Sequence, residues 1–342
     1  MIYRAGLAAY LAVYSTGLRK RHRLNVPVIS VGNLTFGGTG KTPAVQTICR
    51  MLLDEGKKVA ILSRGHGGSA RGTVVVSDGC SITSDSRESG DEPMLLAMTL
   101  PQVPVVVGKD RRKSAQLACE RSDPDVIVLD DGLQYWQLHR DLDVVVLDAA
   151  RPFGSGFVMP AGDLREPIGG LRRAGVVLLA NARSLDESQY ARLLKRVSQL
   201  APHAQIFRCA REPVCFKKAS DSQILPLEWI KGRKVIAFSG IARPASFADM
   251  LTSLGASVEA NLAFPDHHAY TDSDIELIDG ERKSRGAEAT VTTEKDLARL
   301  GPDAAIEDLH TLAVKLEIEE STRFADRINS THTAAPATQT AD

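Results

Sequence analysis

The chain has 342 residues, 43% apolar and 25% charged, and its 42 basic residues balance 42 acidic ones. That size and composition suit a soluble globular protein with room for two domains, and the zero formal charge removes any global bias toward nucleic acid. Five scattered cysteines (Cys49, Cys80, Cys119, Cys209 and Cys215) form no CxxC pair, which argues for reduced thiols in the cytoplasm and against a disulfide frame or a zinc site.

The first element is an uncharged run, Ala5–Leu18, followed at once by Arg19-Lys20-Arg21-His22-Arg23. The run is shorter than the roughly 20 residues that a membrane span needs. Its main basic cluster comes after the apolar stretch, the reverse of a signal peptide. Two readings stay open: a helix lying in the membrane interface and drawn to anionic lipid, or a buried helix with a solvated basic end.

Val28 to Pro43 then reads VISVGNLTFGGTGKTP. A short apolar strand, a glycine-rich turn (Gly37, Gly38, Gly40), Lys41-Thr42 and a helical pattern from Ala44 to Glu55 make a phosphate-binding P-loop. Glycines let backbone N–H groups close around phosphate oxygens, and the new helix offers its positive end. Lys41 would reach the β- and γ-phosphates, and the Thr42 hydroxyl would hold Mg²⁺. Thr35 stands where the usual pattern has its first glycine.

Further strands are expected at Val59–Leu62, Thr73–Ser77, Val105–Val107, Val126–Leu129, Val144–Leu147 and Val176–Leu179, with helices at Glu92–Leu100, Arg111–Arg121 and Asp186–Leu200. Nearly continuous β-branched runs alternating with helices predict a parallel sheet covered on both faces. Several polar groups fall just after strands. Arg64 lies in Ser63-Arg64-Gly65, and Arg111 follows Gly108-Lys109-Asp110. Arg165 and Glu166 lie in the Gly/Pro-rich loop that begins at Pro152. On the carboxyl edge these arginines would line one anionic site. Val126–Leu129 runs into Asp130-Asp131-Gly132, the place for acids that hold Mg²⁺. Gly90-Asp91-Glu92-Pro93 opens a helix, so Asp91 is either an N-cap or a chemical group. Asp266-His267-His268 sits in a loop, where a carboxylate beside an imidazole can take a hydroxyl proton.

After Leu200 the pattern changes. Ile206–Phe216 reads as an extended segment interrupted at Pro213. A second series follows, with a strand at Lys234–Phe238, a helix at Pro244–Leu254 and a strand at Ala289–Thr292. Leu312–Glu319 alternates apolar and polar residues and is expected to pair with Ile206–Phe216 as a two-stranded linker. The expected divisions are an N-terminal interfacial helix (1–24), a P-loop kinase domain (25–205), a linker strand (206–218), a C-terminal α/β domain (219–310), a returning strand (311–320) and a disordered tail (331–342).

Taken in order, these stretches resemble the tetraacyldisaccharide 4′-kinase family, the lipid A 4′-kinases of Gram-negative bacteria. The matching residues are Val31–Thr35 running into Gly37–Pro43, Ser63–Gly65, Gly90–Pro93, Gly108–Arg111, Asp130–Gln134, Leu164–Pro167, Phe264–His267 and Thr292–Asp296. Thr35 belongs to the family's own form of the loop. His66 and Tyr135 depart from it, standing where the family usually has Tyr and His.

The resemblance implies two α/β/α domains, the first P-loop NTPase-like, joined by a two-stranded linker. It implies transfer of the γ-phosphoryl of ATP to the 4′-hydroxyl of a lipid A disaccharide 1-phosphate by a monomer attached peripherally to the cytoplasmic face of the inner membrane. It puts ATP on Thr35, Gly37, Gly38, Thr39, Gly40, Lys41 and Thr42. Mg²⁺ would lie near Thr42, Asp130, Asp131 and Glu166. Asp91, assisted by His267, would be the base beside Lys41, with Arg64, Arg111, Gln134 and Arg165 around phosphates or substrate. The competing reading is a regulatory or metal-chaperone-type P-loop NTPase. That class carries a lysine where this chain has Phe36, and no Asn-Lys-x-Asp guanine motif is present.

Overall fold

The computed structural model describes residues 6, 10, 11, 13, 14, 16–301 and 305–333. Among them, thirteen strands form one mixed, mostly parallel sheet. In chain order these are β1 (Val28–Gly32), β2 (Val59–Ser63), β3 (Val74–Asp78), β4 (Pro104–Val107), β5 (Val126–Asp130), β6 (Leu142–Asp148) and β7 (Val176–Ala180). They continue with β8 (Gln205–Lys218), β9 (Ile224–Leu225), β10 (Lys234–Ser239), β11 (Ser257–Ala263), β12 (Ala289–Thr293) and β13 (Leu309–Ile318). The spatial order is β11-β10-β12-β13-β8-β7-β6-β1-β5-β2-β4-β3, with β9 beside β8.

Alternation along the central strands sends side chains into two cores. Val144 and Val146 of β6 enter one apolar cluster, while Val145 and Leu147 enter the cluster on the opposite face. Val126 and Val128 of β5 share the first cluster, and Ile127 and Leu129 face a third. A strand covered on both faces has to be apolar throughout, which is why these runs are unbroken. The edge strand β3 is antiparallel to β4, unlike its expected parallel neighbours.

The two halves of the sheet meet where β13 pairs antiparallel with β8, from His310↔Lys218 to Ile318↔Cys209. Pro213 does not interrupt β8. The register shifts between Ala313 and Val314, which face Cys215 and Pro213, so Val214 bulges outward and is exposed. A bulge accommodates a residue that has no N–H to give the ladder.

The chain end also corrects the expectation. Residues Thr331–Thr333 belong to a helix, Ser321–Thr333, not to a disordered tail. Phe324, Ile328 and Thr331 share one buried face of it, and the first two join the main core. The rest of the expected tail, 334–342, lies outside the described residues. So does much of the N-terminal run. Of its described part, Tyr14 is buried 6.3 Å from the Trp136 ring, Arg21 lies over that ring, and Leu18 is exposed. Among the described residues no helix is long and apolar enough to cross a membrane.

Candidate active site

The P-loop leaves β1 at Gly32, where a Cβ would lie 2.5 Å from that of Leu133, so only glycine fits. Gly40 adopts φ 101° and caps the helix Lys41–Asp54. That helix begins ahead of the expected Ala44 and places Lys41 and Thr42 in its first turn, among N–H groups free of intrahelical partners. Asn33 ties the loop together: its Nδ2 donates to Thr39 Oγ1 at 2.9 Å, and its Oδ1 accepts from Lys41 Nζ at 3.4 Å. Thr35 bridges to Leu164, and Arg165 N donates to the Leu34 carbonyl at 2.7 Å. The position without glycine is thus held by the 152–167 loop. Gly37, at φ 104°, and Gly38 have open space where a side chain would be.

Strand β5 lies next to β1, with Val31 opposite Asp130. Asp130 is buried; its Oδ2 accepts from Ser63 Oγ at 2.9 Å, and its Oδ1 has no partner among the described residues. Burial, joined by the fields of Glu92 and Asp131, pushes its carboxyl up to about 7. Asp131 is half-buried, and nearby Lys41 and Arg165 outweigh the desolvation that raises its carboxyl and hold it below the usual range. Lys41 Nζ is 3.7 Å from it and Arg165 Nη1 is 2.6 Å.

Among the described residues no preassembled cluster of three or more metal-ligating side chains exists. A hydroxyl and two carboxylates, one with an unsatisfied buried oxygen, nevertheless suit a hard cation that takes its remaining oxygens from phosphate and water. Glu166 fits that role poorly. It is buried, and its Oε1 already accepts from Arg173 at 2.6 Å and Gln134 at 2.9 Å. Gln134 also donates to the Asn33 carbonyl, so it braces the loop. Arg111 is buried with its guanidinium 4.8 Å from the Tyr135 ring, and burial and the field of Arg64 lower its proton affinity. Tyr135 Oη accepts from Arg111 N at 3.0 Å and donates to Asp110. Arg64 is exposed after β2.

Asp91 is not an N-cap. Gly90 caps the helix Asp91–Thr99, at φ 90° and so close to His66 that a Cβ would meet its carbonyl at 2.5 Å. Asp91 Oδ2 accepts from Arg299 Nε at 2.6 Å and faces His267 Nδ1 at 3.0 Å. His267 holds φ 62°, a left-handed conformation that a side chain adopts only under surrounding constraint. It is His267, not His268, that meets Asp91; His268 pairs with Asp274 at 3.0 Å and stacks on Phe264. Lys295 Nζ lies 3.5 Å from His267 Nε2 and 3.7 Å from Glu92. The helix bearing Asp91 is fastened to the P-loop helix by Gln46 and Thr99, 2.7 Å apart. The two clusters are neighbours, since the field of Glu92, next to Asp91, acts on Asp130.

Several contributors go unread in the sequence. Lys295 lies inside the Thr292–Asp296 run but had been given no role, and Arg299 follows that run on the helix Glu294–Leu300. From β8, Arg211 Nη2 donates to the Gly38 carbonyl at 3.1 Å. From the second half of the sheet, Arg243 reaches Asp148 at the end of β6 at 2.7 Å. For Arg299 the signal was its helical spacing of three from Asp296, and for Lys295 its place inside the Thr292–Asp296 run.

The family profile described as tetraacyldisaccharide-1-P 4′-kinase matches residues 1–333. A tetraacyldisaccharide 4′-kinase of Anaeromyxobacter sp. (strain Fw109-5) is 43% identical over 318 residues, covering 93% of this chain and 85% of that one. One from Syntrophus aciditrophicus (strain SB) is 41% identical over 326 residues, covering 93% and 86%. A crystal structure of LpxK from Aquifex aeolicus in complex with ATP superposes with a TM-score of 0.79 at 33% identity, covering 97% of this chain and 96% of that one.

Proposed function

Since the chain belongs to the tetraacyldisaccharide-1-P 4′-kinase family, we propose specific roles for the residues of its candidate site. The protein is an ATP-dependent kinase of the lipid A disaccharide 4′-hydroxyl. Phosphoryl transfer runs through a loose transition state, so positioning and charge neutralisation do most of the catalysis. In our reading Lys41 and the N–H groups of Thr35 and Gly37–Thr42 hold the triphosphate. Thr42, Asp130 and Asp131 would hold Mg²⁺, which when bound neutralises charge on the β- and γ-phosphates. Arg64 and Arg111 receive the remaining anionic groups. Gln134, Glu166, Arg165 and Arg173 brace the loop that backs the site. Asp91 takes the proton of the 4′-hydroxyl, and His267 orients it.

The observation that carries this reading is the 3.0 Å approach of Asp91 to His267, groups 176 residues apart in sequence. The same proposal takes residues 25–205 and 219–310 as two domains flanking the β8–β13 pair. It also takes the enzyme to work as a monomer on the cytoplasmic face of the inner membrane, held there by its N-terminal segment.

A single-turnover assay with γ-labelled ATP and a tetraacyldisaccharide 1-phosphate tests these roles. Wild type should place the label on lipid. Asp91→Asn should bind ATP normally yet transfer it roughly 10²–10⁴-fold more slowly, the range for a lost general base. Wild-type transfer by Asp91→Asn would remove the base assignment, and label released to water in place of lipid would favour a regulatory NTPase.

A further inference from the structure

Asp91 carries more support than a base paired with one histidine requires. His267 Nδ1 and Arg299 Nε both address Oδ2, and none of the described hydrogen bonds uses Oδ1. Arg299 has a side chain only 3% exposed and is itself fixed: its Nη1 donates to Asp296 Oδ1 at 2.8 Å and to the Gly240 carbonyl. Asp296 is fully buried and held in turn by Gly240 N, Tyr270 Oη and Thr293 Oγ1. A planar guanidinium anchored at one end presents its Nε with little freedom. Around this carboxylate, His267 Nδ1 faces an acceptor oxygen and carries the hydrogen between them, while Lys295, which also faces Glu92, and Asp266 lie 3.5 and 3.9 Å from its Nε2. The permanent positive charge in contact with Asp91 is that of Arg299.

We infer that Arg299 is a positioning residue for phosphoryl transfer: it pins Oδ2 of Asp91, so that Oδ1 is the oxygen offered to the sugar 4′-hydroxyl. This rests on the base reading of Asp91. In the step it serves, a bond forms between the 4′-oxygen and the γ-phosphorus. The bond from that phosphorus to the β,γ-bridging oxygen breaks, and its electron pair leaves with ADP. The hydroxyl proton passes to Oδ1. Because Arg299 comes from the C-terminal half and Asp91 from the P-loop half, the base is in register only while the two halves are apposed.

The test compares Arg299→Gln, Arg299→Lys, Asp91→Asn and the double variant Asp91→Asn/Arg299→Gln by single-turnover rate, KM for ATP and melting temperature. Arg299→Gln should lose roughly 100-fold in the transfer rate, as a small misplacement of a reacting group does, with KM for ATP unchanged. Arg299→Lys should recover part of that loss. The double variant should be no slower than Asp91→Asn alone, since both changes act through one carboxylate. If Arg299→Gln fails to fold because Asp296 loses its partner, Arg299→Lys decides: it keeps the charge but not the fork, and its rate must fall below wild type. Wild-type rates in the Arg299 variants, or a double variant slower than Asp91→Asn by the full Arg299 factor, overturn the inference. Wild-type transfer by Asp91→Asn would instead remove the base reading on which it stands.

Discussion

Lys41 and Asp110 show two ways in which a single charge matters here. Lys41 is buried between Asn33 and Asp131 and can reach phosphate without moving far. Lys41→Ala should lower kcat/KM by roughly 10²–10³-fold or more, the usual effect of removing one preorganised electrostatic donor. Steady-state kinetics on folded enzyme measures this, and an active Lys41→Ala protein would refute the ATP site. Asp110 instead stabilises structure. It caps the helix Arg111–Ser122 through the backbone of Arg112 and forks onto that residue's guanidinium at 2.9 and 2.7 Å. The bond from Arg112 holds its carboxyl well below the usual range despite partial burial. A depressed folded value means the stabilisation is complete above the unfolded value, near ~4, and is lost as pH falls below it. Asp110→Ala should therefore cost about 1 kcal/mol at pH 7, with the gap from wild type closing in acid. Urea unfolding at pH 7, 4 and 3 reads this, and a gap that stays constant would show that ionisation plays no part.

Among the elements, the legible ones are those whose local pattern and tertiary setting agree. Both-face burial writes itself into β5, β6 and β7 as the apolar runs Val126–Leu129, Val144–Leu147 and Val176–Leu179, and into β1 as a run broken only by Ser30. Strand β11 is half exposed and mixes Glu259 and Asn261 with its apolar residues, so periodicity gave it no weight. The helix Asp272–Ser284 did carry a signal, the Thr271/Asp274 capping box, which goes unread when only apolar spacing is weighed. The C-terminal helix has few large apolar residues, and its docking depends on Phe324, fully buried with its ring 5.3 Å from that of Phe207. Phe324→Ala should cost roughly 3–5 kcal/mol in chemical denaturation, a cost set by the cavity it leaves. A change below 1 kcal/mol would mean that the helix is not part of the cooperative fold.

At the scale of the whole molecule, two regions carry the proposals made above. One is the junction of the halves, bridged by Asp91–His267, Asp91–Arg299, Glu92–Lys295 and Asp148–Arg243. The other is the N-terminal segment, which packs Tyr14 near Trp136 while leaving Val13 and Leu18 exposed. In the membrane reading proposed above, exposed residues such as Val13 and Leu18, next to Arg19–Arg23, would face an anionic lipid surface. Removing Met1–Leu18 should reduce co-sedimentation with vesicles containing anionic phospholipid, and more so at low salt. Unchanged sedimentation would return the segment to a packing role.

The sequence by itself determined the phosphate loop, the acidic strand end and the layered α/β class, because each depends on residues close together in the chain. Tertiary structure alone decided which oxygen of Asp91 is engaged, which histidine meets it, that Glu166 is taken by Arg173, and that an arginine 208 residues away contacts Asp91. The contacts of Asp91 arise where the two halves of the sheet meet, whereas the Glu166–Arg173 bond is made within one loop. Long-range apposition leaves no periodicity in either partner for a reader of the chain to find.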